Sequence, residues 1–97
     1  MVTGERAEPI LDYVITVHAA LEMKRRGLSE DTIRSVLAAP GQRLEARPGR
    51  VILQSRILLG APAREFLVRV FVDVDRRPAE VVSAYRTTKI GKYWRQP

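Results

Sequence analysis

Residues 65–73 read Glu65-Phe66-Leu67-Val68-Arg69-Val70-Phe71-Val72-Asp73. Successive side chains of an extended chain point to opposite sides. Phe66, Val68, Val70 and Val72 therefore share one side, and Leu67, Arg69, Phe71 and Asp73 share the other. The run predicts a strand with one fully apolar face and a lone cation set into the second. Outward from it the period stays at two. Val51–Leu59 is a strand ahead of the Gly60–Ala61–Pro62 turn, and Gln42–Ala46 is a short one ahead of the Arg47–Pro48–Gly49–Arg50 turn. Glu80–Arg86 is a last strand, after the Asp75–Arg76–Arg77–Pro78 turn.

Upstream of Gln42 the pattern becomes helical. Val17, Ala20, Leu21 and Met23 form a stripe, Lys24, Arg25 and Arg26 bring positive charge to its C-terminal end, and Gly27 follows as a helix stop. Ser29 caps a second helix, with Glu30 and Asp31 in the first turn, where the helix dipole favours acids. Ile33, Val36 and Leu37 fall at i, i+3 and i+4, and Pro40–Gly41 ends the helix. Before it, Leu11–Val17 contains Tyr13, Val14, Ile15 and Thr16 and favours a short strand. The polar residues 1–9 predict a loose leader, and residues 87–97 a basic aromatic tail. The whole predicts one α+β domain over residues 1–97. Its antiparallel sheet has four to five strands, with an N-terminal helical hairpin packed on one face and the other face partly wet.

Seventeen Lys and Arg stand against eleven Asp and Glu, a net charge of +6. Fourteen of the cations are arginines, whose two-pronged donor geometry suits phosphate. After Glu80 there is no acid, while Arg86, Lys89, Lys92 and Arg95 follow, so the charge points to a polyanionic partner. The absence of cysteine excludes disulfides and thiolate metal sites and suits a reducing cytoplasm. No apolar run approaches the ~20 residues of a membrane-spanning helix, and the start, with Glu5 and Glu8, lacks a secretory signal's apolar run. No metal or cofactor is expected: one histidine and no carboxylate cluster leave no ligand set of standard spacing, and no glycine-rich phosphate loop is present.

The chemistry-bearing residues concentrate on the wet face and at the chain's end. Arg56, Arg69 and Arg86 lie on adjacent strands and are expected to converge on one patch. The bland alternative is that each lies on a solvated face beside an acid such as Glu65 or Asp73. From Tyr85 to Trp94 aromatics alternate with cations, a pattern suited to single-stranded RNA because rings stack on unpaired bases while cations follow phosphate. Lys89 and Lys92, three apart, share a face if this piece is helical. His18 is the lone histidine and the natural proton shuttle. A lone histidine near a helix start is more often structural, and Tyr93 or Trp94 can equally serve to tuck the tail onto the core.

Val17–His18–Ala19, the stretch from Met23 through Arg26–Gly27–Leu28–Ser29, Val36–Leu37, and Tyr85–Arg86–Thr87–Thr88–Lys89 with Lys92–Tyr93–Trp94 resemble a family labelled a domain of unknown function. That family is placed in the RelE/ParE toxin superfamily, alongside BrnT-like toxins. The resemblance covers about residues 15 to 94, with two departures: Glu22 stands where an arginine usually precedes Met23, and Thr88 replaces a common serine. It implies a sheet-plus-helical-hairpin fold and a type II toxin–antitoxin pair. Relatives cleave mRNA without metal, often on the ribosome, while others bind gyrase. The expected function is a metal-independent endoribonuclease toxin, with non-catalytic binding of RNA or a protein target such as gyrase as the alternative. The catalytic set would be His18, Arg86, Lys89 and Tyr93. The RNA-binding set would be Arg26, Arg56, Arg69, Tyr85, Thr87 and Lys92. The expected partners are mRNA, free or ribosome-bound, and a cognate antitoxin, with no membrane.

Overall fold

A computed structural model describes residues 7–96. Most of the predicted leader, residues 1–6, and the last tail residue lie outside them. The chain runs β1 (Tyr13–Ile15), α1 (Val17–Arg25), α2 (Glu30–Ala38), β2 (Gln42–Arg47), β3 (Arg50–Leu59), β4 (Arg64–Asp73), β5 (Ala79–Thr87) and a one-turn α3 (Ile90–Tyr93). The class is α+β. No helix among the described residues is long and apolar enough to cross a membrane.

The local signals act as their chemistry requires. Thr16 Oγ1 accepts from the Ala19 amide at 3.1 Å, and Ser29 Oγ accepts from the Thr32 amide at 3.1 Å, so each helix starts on a side-chain cap. Gly27 takes φ +70°, left-handed backbone that glycine adopts without penalty, and lies between the two helices.

The sheet order is β1-β5-β4-β3-β2. Strands β2 to β5 form the expected antiparallel meander. The expectation of a purely antiparallel sheet fails at β1, which pairs parallel to β5 through Tyr13↔Ala79, Val14↔Glu80 and Ile15↔Val81. The reason is connectivity. A tight turn can only join antiparallel neighbours, whereas here two helices and the whole meander separate the paired strands, and parallel pairing is then open. Past Ile15 the edge of β5 passes to α1: Arg26 Nη1 donates to the Ala84 carbonyl at 2.9 Å, and Ser83 Oγ donates to Glu22 Oε1 at 2.8 Å. Covering an edge in this way satisfies strand groups that would otherwise be left unpaired.

One sheet face carries Val51, Leu53, Val68, Val70, Val72, Val81 and Ala84, which share a buried cluster with Ala19, Met23, Ile33, Val36 and Leu37 of the helices. Each fully buried aliphatic side chain contributes about 1.5–3 kcal/mol. A bulge decides which β5 residues face this core. Val72 pairs with Val81 but Phe71 pairs with Ser83, so Val82 is the extra residue. The shift turns Val81, Ala84 and Arg86 to the core face, and Ser83, Tyr85 and Thr87 to the opposite face, over which the C-terminal tail lies.

Candidate nucleic-acid interface

The tail face is organised around a row of cross-strand partners: Gln42↔Gln54, Gln54↔Arg69 and Arg69↔Tyr85. Arg69 lies at its centre, only 8% exposed. Its Nε donates to Gln54 Oε1 at 2.8 Å, and its Nη1 to the Tyr85 hydroxyl at 2.8 Å. The guanidinium carbon is 4.3 Å from the centroid of the Tyr93 ring, 5.7 Å from that of Phe71 and 5.8 Å from that of Tyr85. Among the described residues no carboxylate pairs with it. A cation taken out of water is costly, by several kcal/mol, and neutral acceptors and ring faces offset only part of that. Among the described residues Nη2 has no acceptor, and no fully buried side-chain nitrogen or oxygen lacks a partner, so this nitrogen keeps some contact with solvent. The result is a largely buried positive charge set among three aromatic rings, with one donor uncommitted among the described residues.

Arginine can only donate, and that orients the neighbouring amides. Gln54 must turn Oε1 to Arg69, which leaves its Nε2 to donate to Gln42 Oε1 at 2.7 Å and to the Tyr93 carbonyl at 3.2 Å. Gln42 Oε1 also accepts from the Arg95 amide at 3.1 Å, while its Nε2 donates to the Arg95 carbonyl at 2.7 Å. A single chain of hydrogen bonds with one polarity thus runs from Arg69 to the tail backbone and holds Tyr93 over the guanidinium. Trp94 packs against Gly41, where an added Cβ would stand 2.8 Å from Cη2 of the indole.

Tyr93 stands edge-on to Tyr85, with ring centroids 6.3 Å apart, and Lys92 Nζ lies 5.3 Å from the centroid of its ring. The hydrogen-bonding Tyr85 hydroxyl first, then Lys92 and Arg69, draw the Tyr93 phenol below its ordinary pKa, against an opposing effect of burial. A phenol of this kind reaches its ionised form at lower pH than a free tyrosine.

The other expected residues divide. Arg56 is on the tail face, with its carbon 5.8 Å from the centroid of the Trp94 ring, but Glu65 holds it through two contacts at 3.1 and 3.3 Å. Lys89 and Lys92 are exposed on the tail, and Thr87 Oγ1 accepts from the Lys89 amide at 3.0 Å to turn the chain into α3. Arg86 departs from the expected convergence. It pairs in register with Val68 and so lies on the core face, across the sheet from Arg69. Arg26 is committed to the Ala84 carbonyl and Glu22. His18 is 72% exposed on α1, 3.2 Å from Glu22, and takes no part in the Arg69 cluster. Arg69, Tyr85, Tyr93, Lys92, Lys89, Thr87 and Arg56 thus share one face, while Arg86, Arg26 and His18 do not. Gln42 carries no sequence signal for its role in holding the tail, and Gln54 stands out only as a polar residue on the wet face. The period-two alternation places Gln54 beside Arg56, which is the signal that points to it.

Among the described residues no group of three or more His, Cys, Asp or Glu side chains could hold a metal ion. The family model described as "Domain of unknown function (DUF4258)" matches residues 11–86. The chain belongs to the DUF4258 family. The matched part supplies Gln42, Gln54, Arg69 and Tyr85 of the cluster, while Lys92, Tyr93 and Trp94 come from the segment beyond the DUF4258 match. No curated protein and no solved structure matches the chain.

Proposed function

We propose that this DUF4258 protein is a RelE/ParE-like toxin that binds single-stranded RNA on its tail face and cleaves it without a metal ion. The observation that carries the reading is the guanidinium of Arg69, largely buried beside Tyr85 and Tyr93 and without a carboxylate partner among the described residues. A phosphodiester is the anion that suits it, because the two edge-on phenols offer ring surface for the flanking bases while Lys92 adds a second cation.

The reaction is the attack of a ribose 2′-oxygen on the neighbouring phosphorus. The new O–P bond forms as the bond to the 5′-oxygen breaks, leaving a 2′,3′-cyclic phosphate and a 5′-hydroxyl. In this reading the Tyr93 phenolate accepts the 2′-hydroxyl proton, Arg69 Nη2 stabilises the charge on the phosphorane, and Lys89 or Lys92 returns a proton to the leaving oxygen. Such a toxin works in the cytoplasm on mRNA, free or ribosome-bound, and is held in check by a cognate antitoxin that covers the basic face. The test is single-turnover incubation of an mRNA with the protein in EDTA. Cyclic-phosphate ends that vanish with Tyr93→Phe support the reading, and full-length RNA throughout contradicts cleavage. The second reading is binding without cleavage, to RNA or to a protein target such as gyrase. It is favoured by the position of His18, whose pairing with Glu22 keeps the lone imidazole out of the cluster.

A further inference from the structure

Arg86 leaves the tail face, but it does not become an ordinary surface arginine. Its guanidinium carbon is 4.7 Å from the centroid of the Phe66 ring, and that of Arg64 is 5.6 Å from the same centroid. Two like charges therefore share one ring, and neither forms an ion pair among the described residues. All eight cation–carboxylate pairs among the described residues lie elsewhere. Gly27 makes room for the arrangement: an added Cβ there would lie 3.1 Å from Arg86 Nη2. Stacking on Phe66 leaves the guanidinium edges free to donate in pairs to a doubly accepting anion such as a phosphate.

The location gives the anion its class. Thr87, the next residue, pairs with Leu67 on the tail face, and Arg56 pairs with the same Leu67. Arg64 and Arg86 thus stand at the same end of the strands as Arg56, Thr87 and Lys89, on the reverse side of the sheet. No acid occurs in the chain after Glu80, so the segment from Arg86 through Lys89 to Lys92 carries positive charge alone, and Glu65, the acid at this end of β4, is paired with Arg56. We propose that Arg64 and Arg86, stacked on Phe66, form a second phosphate-binding site, and that a single RNA strand held at Arg69 bends around the end of β5 to reach it. This rests on the RNA reading of the tail face.

The experiment measures fluorescence anisotropy of two labelled single-stranded RNAs, of about 4 and about 16 nucleotides, the two ends of the usual range of single-strand site sizes. The proteins are the wild type, Arg64→Gln/Arg86→Gln, Arg86→Lys and Arg69→Met. Both neutralised side chains are exposed, so the double variant keeps the fold, and circular dichroism verifies it. The double variant should bind the long RNA roughly tenfold more weakly, with the slope of log affinity against log salt reduced by about 1.4, two phosphates' worth. The short RNA should be unaffected, and Arg86→Lys should keep the slope. Equal long-RNA affinity and slope for wild type and double variant overturn the second site while leaving Arg69 in place. Loss of short-RNA binding in the double variant also overturns it, because the two sites would then not be separate. Polyglutamate that binds the wild type more tightly than the long RNA, and is lost in the double variant, overturns it in favour of an acidic protein ligand. Absence of any RNA binding by the wild type overturns both readings.

Discussion

The guanidinium of Arg69 lies 4.3 Å beneath the ring of Tyr93, and Gln54 joins the two by accepting from Arg69 Nε and donating to the Tyr93 carbonyl. A buried cation thereby positions the tail that covers it. Its charge is met by dipoles and ring faces, which makes it a poor stabilising device and a suitable anion anchor.

Arg69→Met should separate these two roles. The methionine removes the burden of desolvating a cation, which is worth several kcal/mol. It leaves Gln54 Oε1 and the Tyr85 hydroxyl each short of one donor, at about 1–3 kcal/mol apiece. The terms nearly cancel, so the folded state should change by no more than about 1 kcal/mol, a Tm shift under about 8 °C for a domain of this size. Calorimetry checks this. A fall of 15 °C or more, roughly twice that bound, would make Arg69 a structural residue.

Tyr93 should dominate the alkaline behaviour of the protein. Its phenol is held below the ordinary value by Tyr85, Lys92 and Arg69, so the folded state favours the phenolate. The stabilisation is absent below the folded pKa, appears as pH rises through it, and is complete above the unfolded value of about 10. Ultraviolet titration should show a phenol ionising early, and Tyr93→Phe should remove it. The cleavage rate should rise over the same pH window, and the variant should show no cleavage at any pH in it.

Gln42→Ala should release the tail. The side chain makes two hydrogen bonds to the Arg95 backbone, at 2.7 and 3.1 Å, and accepts a third from Gln54. Trp94 is the lone tryptophan of the chain, so its emission should move to longer wavelength while the circular dichroism of the sheet is kept. An unchanged spectrum would mean that the indole against Gly41 holds the tail by itself.

Much of the fold is legible in the chain. The alternation of residues 65–73, the Ser29 cap and the Gly27 stop each act through local chemistry, and each operates as read. The parallel β1–β5 pair is not legible, because three residues of strand carry no information about which distant edge they will join. The candidate site shows the same division. Arg69, Tyr85 and Tyr93 stand out by type and spacing. Whether Arg86 joins them depends on the extra residue at Val82, and period-two counting within Glu80–Arg86 does not reveal a bulge. One residue of slip is the difference between a convergent arginine and one on the far face.

Asp73→Asn should weaken the protein in a pH-dependent way. Arg50 donates to both oxygens of Asp73, at 2.6 and 3.1 Å, and holds its carboxyl below the usual range. A depressed carboxyl contributes stability above the unfolded pKa of about 3.9 and loses it as pH falls through the folded value. Urea denaturation should show a deficit of about 1–3 kcal/mol for the variant at neutral pH, shrinking towards zero in strong acid. A constant deficit would exclude ionisation as its cause.

The central claim, that Arg69 is the anchor for RNA phosphate, is tested most directly by the affinity of wild type and Arg69→Met for one short single-stranded RNA at a fixed salt concentration. The account predicts binding about 10- to 100-fold weaker in the variant, the loss of one charge-assisted contact of about 1.5–3 kcal/mol. Equal affinity in two proteins that are equally folded would contradict it.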